Sequence, residues 1–125
     1  MPDLRFLALA IGGALGTVCR YGISIALARI FGAVVPAGTL AVNLTGCFLL
    51  GLVFGLGESR GLSPGFRLFF MTGFLGAYTT FSTFAVESVL AQEGGRAGLA
   101  LGNVMANNLG GLVLAKLGLM LGRLV

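Results

Sequence analysis

Residues 73–84 read GFLGAYTTFSTF, and this stretch holds the side chains best suited to chemistry. Five hydroxyls, on Tyr78, Thr79, Thr80, Ser82 and Thr83, fall among glycines and phenylalanines inside an otherwise apolar span. Gly73, Gly76 and the Thr79-Thr80 pair weaken a helix. Backbone freed at membrane depth is tolerated only where protein or a wet cavity covers it, so the stretch predicts a helix broken mid-membrane. Such a break offers carbonyl oxygens to cations and amide N–H groups to anions. Beyond it, Phe81 and Phe84 are three apart and share a helix face. A phenyl ring has an electropositive edge, and two edges along a narrow path could hold a small anion loosely enough for it to leave. Phenylalanines at this spacing are usually plain packing, and spacing alone favours that role.

Other polar side chains sit in apolar surroundings. In GTLAVNLTGCFLLG, residues 38–51, Asn43 lies one turn after Thr39 on the same face, and its amide can donate hydrogen bonds to an anion or join two helices. Asn103 and Asn107 are four apart on the last apolar stretch, with Asn108 beside them, which makes a polar stripe that must face protein or a pore. Arg20, in GGALGTVCRYG, is costly at depth. It either draws anions into a vestibule or snorkels to the headgroups.

The elements that position these residues follow from the charge map. The chain has 125 residues with only 8 basic and 4 acidic side chains and is 57% hydrophobic, far from the quarter charged that is typical of soluble domains. Residues 30–57, 68–86 and 97–115 carry no charge at all, and about 20 apolar residues cross a bilayer core. A further apolar stretch is interrupted only by Arg20. The sequence therefore predicts an all-α membrane protein, a single domain of four transmembrane helices near 5–31, 37–57, 67–92 and 97–122. A cleaved signal peptide is the rival reading of the first stretch, but apolar character resumes after Arg20 and no polar domain follows. Gly12/Gly16, Gly51/Gly55, Gly98/Gly102 and Gly118/Gly122 each form a small-xxx-small pair, which predicts close helix contact within or between subunits. So small a bundle has little interior, and an activity that needs a pore would most naturally sit at an oligomer interface.

Several chemistries are set aside. There is no histidine, and Cys19 and Cys47 lie in separate spans without a CxxC pattern, so a zinc, haem or thiol-redox site is not expected. No Walker loop, GxSxG or HExxH string is present, and Asp3, Glu58, Glu87 and Glu93 lie mostly at span ends; no enzyme is expected. The net charge of +4 points to anionic headgroups of membrane lipid, since no basic cluster with interleaved aromatics supports nucleic-acid binding.

The three motifs GGALGTVCRY, GTLAVNLTGCFLLG and GFLGAYTTFSTF, in this order and at this spacing, resemble the signatures of the Fluc fluoride channels, also known as CrcB. The resemblance spans essentially the whole chain. It implies an antiparallel, dual-topology homodimer in the cell (inner) membrane, with two fluoride pathways and a structural sodium ion on the dimer axis. Carried over residue by residue, Phe81 and Phe84 match the pore phenylalanines and Asn43 the pore asparagine. Gly76 and Thr79 match positions whose backbone carbonyls hold the sodium, and Arg20 matches the vestibule arginine. Thr80, Ser82 and Thr83 would satisfy freed backbone groups or contact the anion, with Thr39 on the same route. Asn103 and Asn107 depart from the hydroxyl-bearing track expected of the fourth helix and are carried only as pore-lining candidates.

The implied function is passive export of cytoplasmic fluoride. A small multidrug-type antiporter is the alternative from another class, and it would need a membrane-embedded carboxylate, for which only Glu87 comes near. A scaffold subunit would explain the glycines but not the clustered hydroxyls. Five basic residues (Arg5, Arg60, Arg67, Lys116, Arg123) lie on the side of both termini, against Arg29 and Arg96 on the other. The positive-inside rule therefore favours cytoplasmic termini, a less balanced charge than dual topology calls for; one fixed orientation would need an inverted partner or a different dimer.

Overall fold

The computed structural model describes residues 2–125. The chain forms four long apolar spans, Asp3–Phe31, Ala37–Ser59, Pro64–Glu93 and Ala97–Leu124, each long and apolar enough to cross a membrane. Five helical elements build them: α1 (Pro2–Phe31), α2 (Ala37–Ser59), α3 (64–78), α4 (Phe81–Glu93) and α5 (Ala97–Leu124). Short turns at Gly32, Gly61 and Gly95, each with positive φ, carry the chain out of α1, α2 and α4, a conformation that glycine adopts without a Cβ penalty. The start of α3 is set locally. Ser63 Oγ accepts the Phe66 N–H at 3.2 Å and Pro64 occupies the first turn, where its missing N–H costs nothing.

Two backbone features distinguish the third span. Arg67–Leu75 is π-helical, a widened turn that is rare and concentrated at functional sites. Then, between α3 and α4, Thr79 (φ −85°, ψ 156°) and Thr80 (φ −148°, ψ 115°) are extended. A second π-helical turn, Ala106–Gly110, lies within α5 and carries Asn107 and Asn108.

Glycine decides how the spans meet. A Cβ on Gly51 or Gly55 would strike the carbonyls of Ala115 and Leu119 on α5, and one on Gly118 or Gly122 would strike those of Phe48 and Leu52 on α2. The two backbones therefore touch directly, as small-residue pairs permit. Gly12 and Gly16 play the same part for α1 against α3, facing the Phe69 and Phe74 carbonyls. Three of the four glycine pairs thus work inside the subunit, while nothing lies within 4 Å of a Cβ at Gly98 or Gly102. The α2–α5 contact is closed at its end by Ser59 Oγ donating to Gly122 O at 2.9 Å and by an exposed Arg123–Glu58 ion pair. The buried centre is small: Val42 of α2 with Leu75 and Tyr78 of α3. It lies directly beside the extended residues, so packing and site are contiguous.

Candidate functional site

The site forms around the extended residues Thr79 and Thr80: the Thr79 N–H still closes on Leu75 O, but the Thr80 N–H has no helical partner. Asn43, projecting from α2, takes over both polar groups of Thr80: its Oδ1 accepts the Thr80 N–H at 2.8 Å and its Nδ2 donates to the Thr80 carbonyl at 3.0 Å. The amide's orientation follows from this pairing, because a peptide N–H can only donate and a carbonyl only accept. The same Nδ2 donates to Asn107 Oδ1 at 2.9 Å. Both amide hydrogens of Asn43 are therefore committed to protein in this arrangement, and the residue also lines the first cavity described below.

The bonds continue from there through α5 and α4. Asn107 Nδ2 donates to Asn103 Oδ1, Asn103 Nδ2 to Ser88 Oγ, and Ser88 Oγ to the Phe84 carbonyl, each at 2.9 Å. Asn103 and Ser88 are buried, and a buried polar chain of this kind is stable only when its members are satisfied. Ser88 escaped notice in the sequence, although its place four residues after Phe84, on the same face, was the available signal.

Diverted donors leave particular carbonyls free. In a continuous helix the Thr80 N–H would close on Gly76 O and the Thr83 N–H on Thr79 O. Here the first goes to Asn43 and the second to Thr80 Oγ1 at 3.4 Å. The Gly76 and Thr79 carbonyls thus lose their helical partners. Leu75 O is kept by the Thr79 N–H and hydroxyl, at 3.2 and 3.1 Å. Ala77 O accepts Arg20 Nε at 3.0 Å. Arg20 is half-buried, and its Nε caps the C-terminal end of α3, where a cation is favoured.

Two cavities flank this point. The first, of about 290 Å³, is lined by Asn43, Gly76, Thr79, Thr80, Phe81, Phe84 and Asn107 among others. The rings of Phe81 and Phe84 meet edge to face, with centroids 5.5 Å apart at 64°. Phe84 is 7% exposed and packed, whereas Phe81 is 76% exposed and presents its ring at the rim. The second cavity, of about 490 Å³, is lined by Thr39, Thr83, Glu87 and Arg96 among others. Thr80 and Thr83, one from each lining, are joined by a hydroxyl–hydroxyl bond of 3.0 Å. Glu87 is more enclosed than its late place in the span suggested: Oε1 accepts Thr39 Oγ1 at 2.6 Å, and Oε2 is buried with no partner among the described residues. Ser82 is exposed and lines neither cavity. Arg20 lines neither cavity, and Asn103 borders a separate apolar one. No cluster of three or more His, Cys, Asp or Glu able to hold a metal occurs among the described residues.

Four apolar spans enclosing a buried polar network define a multi-pass membrane protein. Residues 7–119 match the family described as CrcB-like protein, Camphor Resistance (CrcB), and the chain belongs to that family. Curated relatives agree along nearly the full length. The Fluoride-specific ion channel FluC of Salinibacter ruber is 44% identical over 92% of this chain and 86% of the relative. Its namesake in Maridesulfovibrio salexigens is 43% identical over 97% of each. The protein of the same name in Shewanella pealeana is 46% identical over 86% of this chain and 85% of its own.

Proposed function

We propose that this chain is a subunit of a fluoride channel that lets cytoplasmic fluoride leave the cell down its gradient and so protects against fluoride toxicity. The observation that carries the reading is the first cavity, where two phenylalanine rings, threonine groups and asparagine amides converge beside an interrupted helix. Family membership and the printed names of the relatives agree with it.

The route we propose runs past the Phe81 and Phe84 ring edges, across the Thr80–Thr83 hydroxyl pair, and into the cavity bordered by Thr39 and Arg96. Ring edges and hydroxyls attract an anion without pairing it to a full charge, so that it can enter and leave. Ser82, next to the rings, would face the route from the exposed side. Arg20 and Arg96 raise the local anion concentration as fixed positive charges. Asn43 and Asn107 shape the wall by holding Thr80 in place, and Asn103 anchors Asn107.

The pathway in this reading is completed by a second, antiparallel copy in the cell (inner) membrane. Support comes from Phe81, whose ring is uncovered in the single chain, and from Gly76, which is exposed with its carbonyl released. The Gly76 and Thr79 carbonyls are hard oxygen donors with their helical partners diverted, which fits a sodium ion shared between two such helices. Those carbonyls would hold the ion, and bound there it would supply positive charge against the C-terminal dipole of α3.

Fluoride efflux from proteoliposomes, with chloride as the control, tests the function. Fluoride flux with little chloride flux is expected, and equal flux of both anions would refute the reading. The enclosed Glu87 carboxylate is the one feature that favours the antiporter alternative. A flux that stops without a proton gradient would decide for it.

A further inference from the structure

Tyr78 is a tyrosine in an apolar core, and the proposed conduction route makes no use of its hydroxyl. The residue is 7% exposed, and its ring ends a stack of four along α3: Phe66, Phe70, Phe74 and Tyr78, with successive centroids 5.5, 5.4 and 5.7 Å apart. The phenol oxygen lies 2.8 Å from Thr45 Oγ1 on α2. Thr45's own hydrogen is directed at the Ala41 carbonyl, 2.7 Å away, so the phenol is the donor and Thr45 the acceptor. The bond is an oriented tether from the end of α3 to the helix that carries Asn43.

The location of the tether matters. Asn43 holds Thr80, Arg20 holds the Ala77 carbonyl, and Thr45 holds Tyr78. The released carbonyls of Gly76 and Thr79 flank the Ala77–Tyr78 pair. At Gly46 α2 presses against the same point, since a Cβ there would collide with Thr79 Cγ2 and approach Tyr78 Cδ1 to 3.3 Å. Every residue next to the carbonyl pair is thus fixed by a side chain from another helix, or by close packing against one.

We infer that Tyr78, through its hydroxyl bond to Thr45, is a positioning residue that presets the Gly76 and Thr79 carbonyls for a small hard monovalent cation. The inference rests on the sodium reading proposed above. Donors already held in place lose less conformational freedom on binding, so preorganisation appears as affinity. Tyr78→Phe removes the tether while keeping the ring, its volume and its place in the stack.

The test is thermal unfolding of the purified full chain in detergent, titrated with sodium chloride at an ionic strength held constant by N-methylglucamine chloride. The wild type is expected to gain stability with sodium, as any ligand that binds the folded state selectively must cause. Loss of one hydrogen bond, worth about 1 kcal/mol net, should raise the half-stabilising sodium concentration about fivefold in Tyr78→Phe. Thr45→Val should show the same shift and the double variant no more, because both remove one bond. Tyr21→Phe, at a 69% exposed tyrosine, should leave it unchanged. A Tyr78→Phe protein with the wild-type half-point overturns the inference, even if it melts lower at every sodium concentration, because the hydroxyl would then only stabilise the fold. A wild type indifferent to sodium overturns the sodium reading and the inference together.

Discussion

Replacing Asn43 by alanine probes the site at its most connected residue. The side chain makes three bonds, to the Thr80 N–H at 2.8 Å, the Thr80 carbonyl at 3.0 Å and Asn107 Oδ1 at 2.9 Å. At about 1 kcal/mol net for each hydrogen bond, their joint loss would cost about 3 kcal/mol. Thr80 and Asn107 line a cavity, where water can replace part of what is lost, so about 2 kcal/mol is the expected penalty in thermal or denaturant unfolding. Fluoride efflux from liposomes should fall by more than that destabilisation explains, because the released Thr80 N–H is then free to close on Gly76 and rebuild a helical turn across the route. Asn43→Asp separates the two effects. It keeps the acceptor for the Thr80 N–H but sets an anionic oxygen against two other oxygens beside an anion path, so flux should be lost even when the protein is kept folded. A folded Asn43→Ala protein with wild-type stability and wild-type efflux would refute the bracing argument.

The two phenylalanines and the glycines give further outcomes. Phe81→Ile, at a 76% exposed ring, should leave the subunit's melting nearly unmoved while efflux collapses; normal efflux would make the ring mere surface. Phe84→Ile, at a 7% exposed ring, should lose efflux and also about 1 kcal/mol of stability, as core volume changes do. Gly118→Ala places a Cβ against the Phe48 carbonyl and 2.9 Å from the Leu52 nitrogen, backbone that cannot step aside, so folded protein should be lost in size-exclusion and melting assays. Gly98→Ala meets nothing within 4 Å and should melt like the wild type or slightly higher, by helix propensity. A clear drop would mean that this face is packed by a partner.

The four spans were legible because hydropathy is a local property: uncharged runs such as 68–86 must leave water wherever the rest of the chain goes. The extended backbone at Thr79 and Thr80 falls where the local sequence favours it, since glycine and paired β-branched residues weaken a helix in any context. The use made of each polar side chain was not legible. Arg20 reads equally as a vestibule charge or a snorkelling one until α1 lies against α3 and brings Ala77 O, 57 positions away, to 3.0 Å. Asn43 reads as an anion donor or as interhelical glue, and only helix packing sets Thr80 on one side of it and Asn107 on the other. The glycine pairs looked alike in sequence, yet Gly118/Gly122 is sealed against α2 while Gly98/Gly102 is open. Residue types determine that a helix must enter the membrane and where it resists continuing. Which donor meets which acceptor depends on distances between helices, and those are set by where glycine lets two backbones touch.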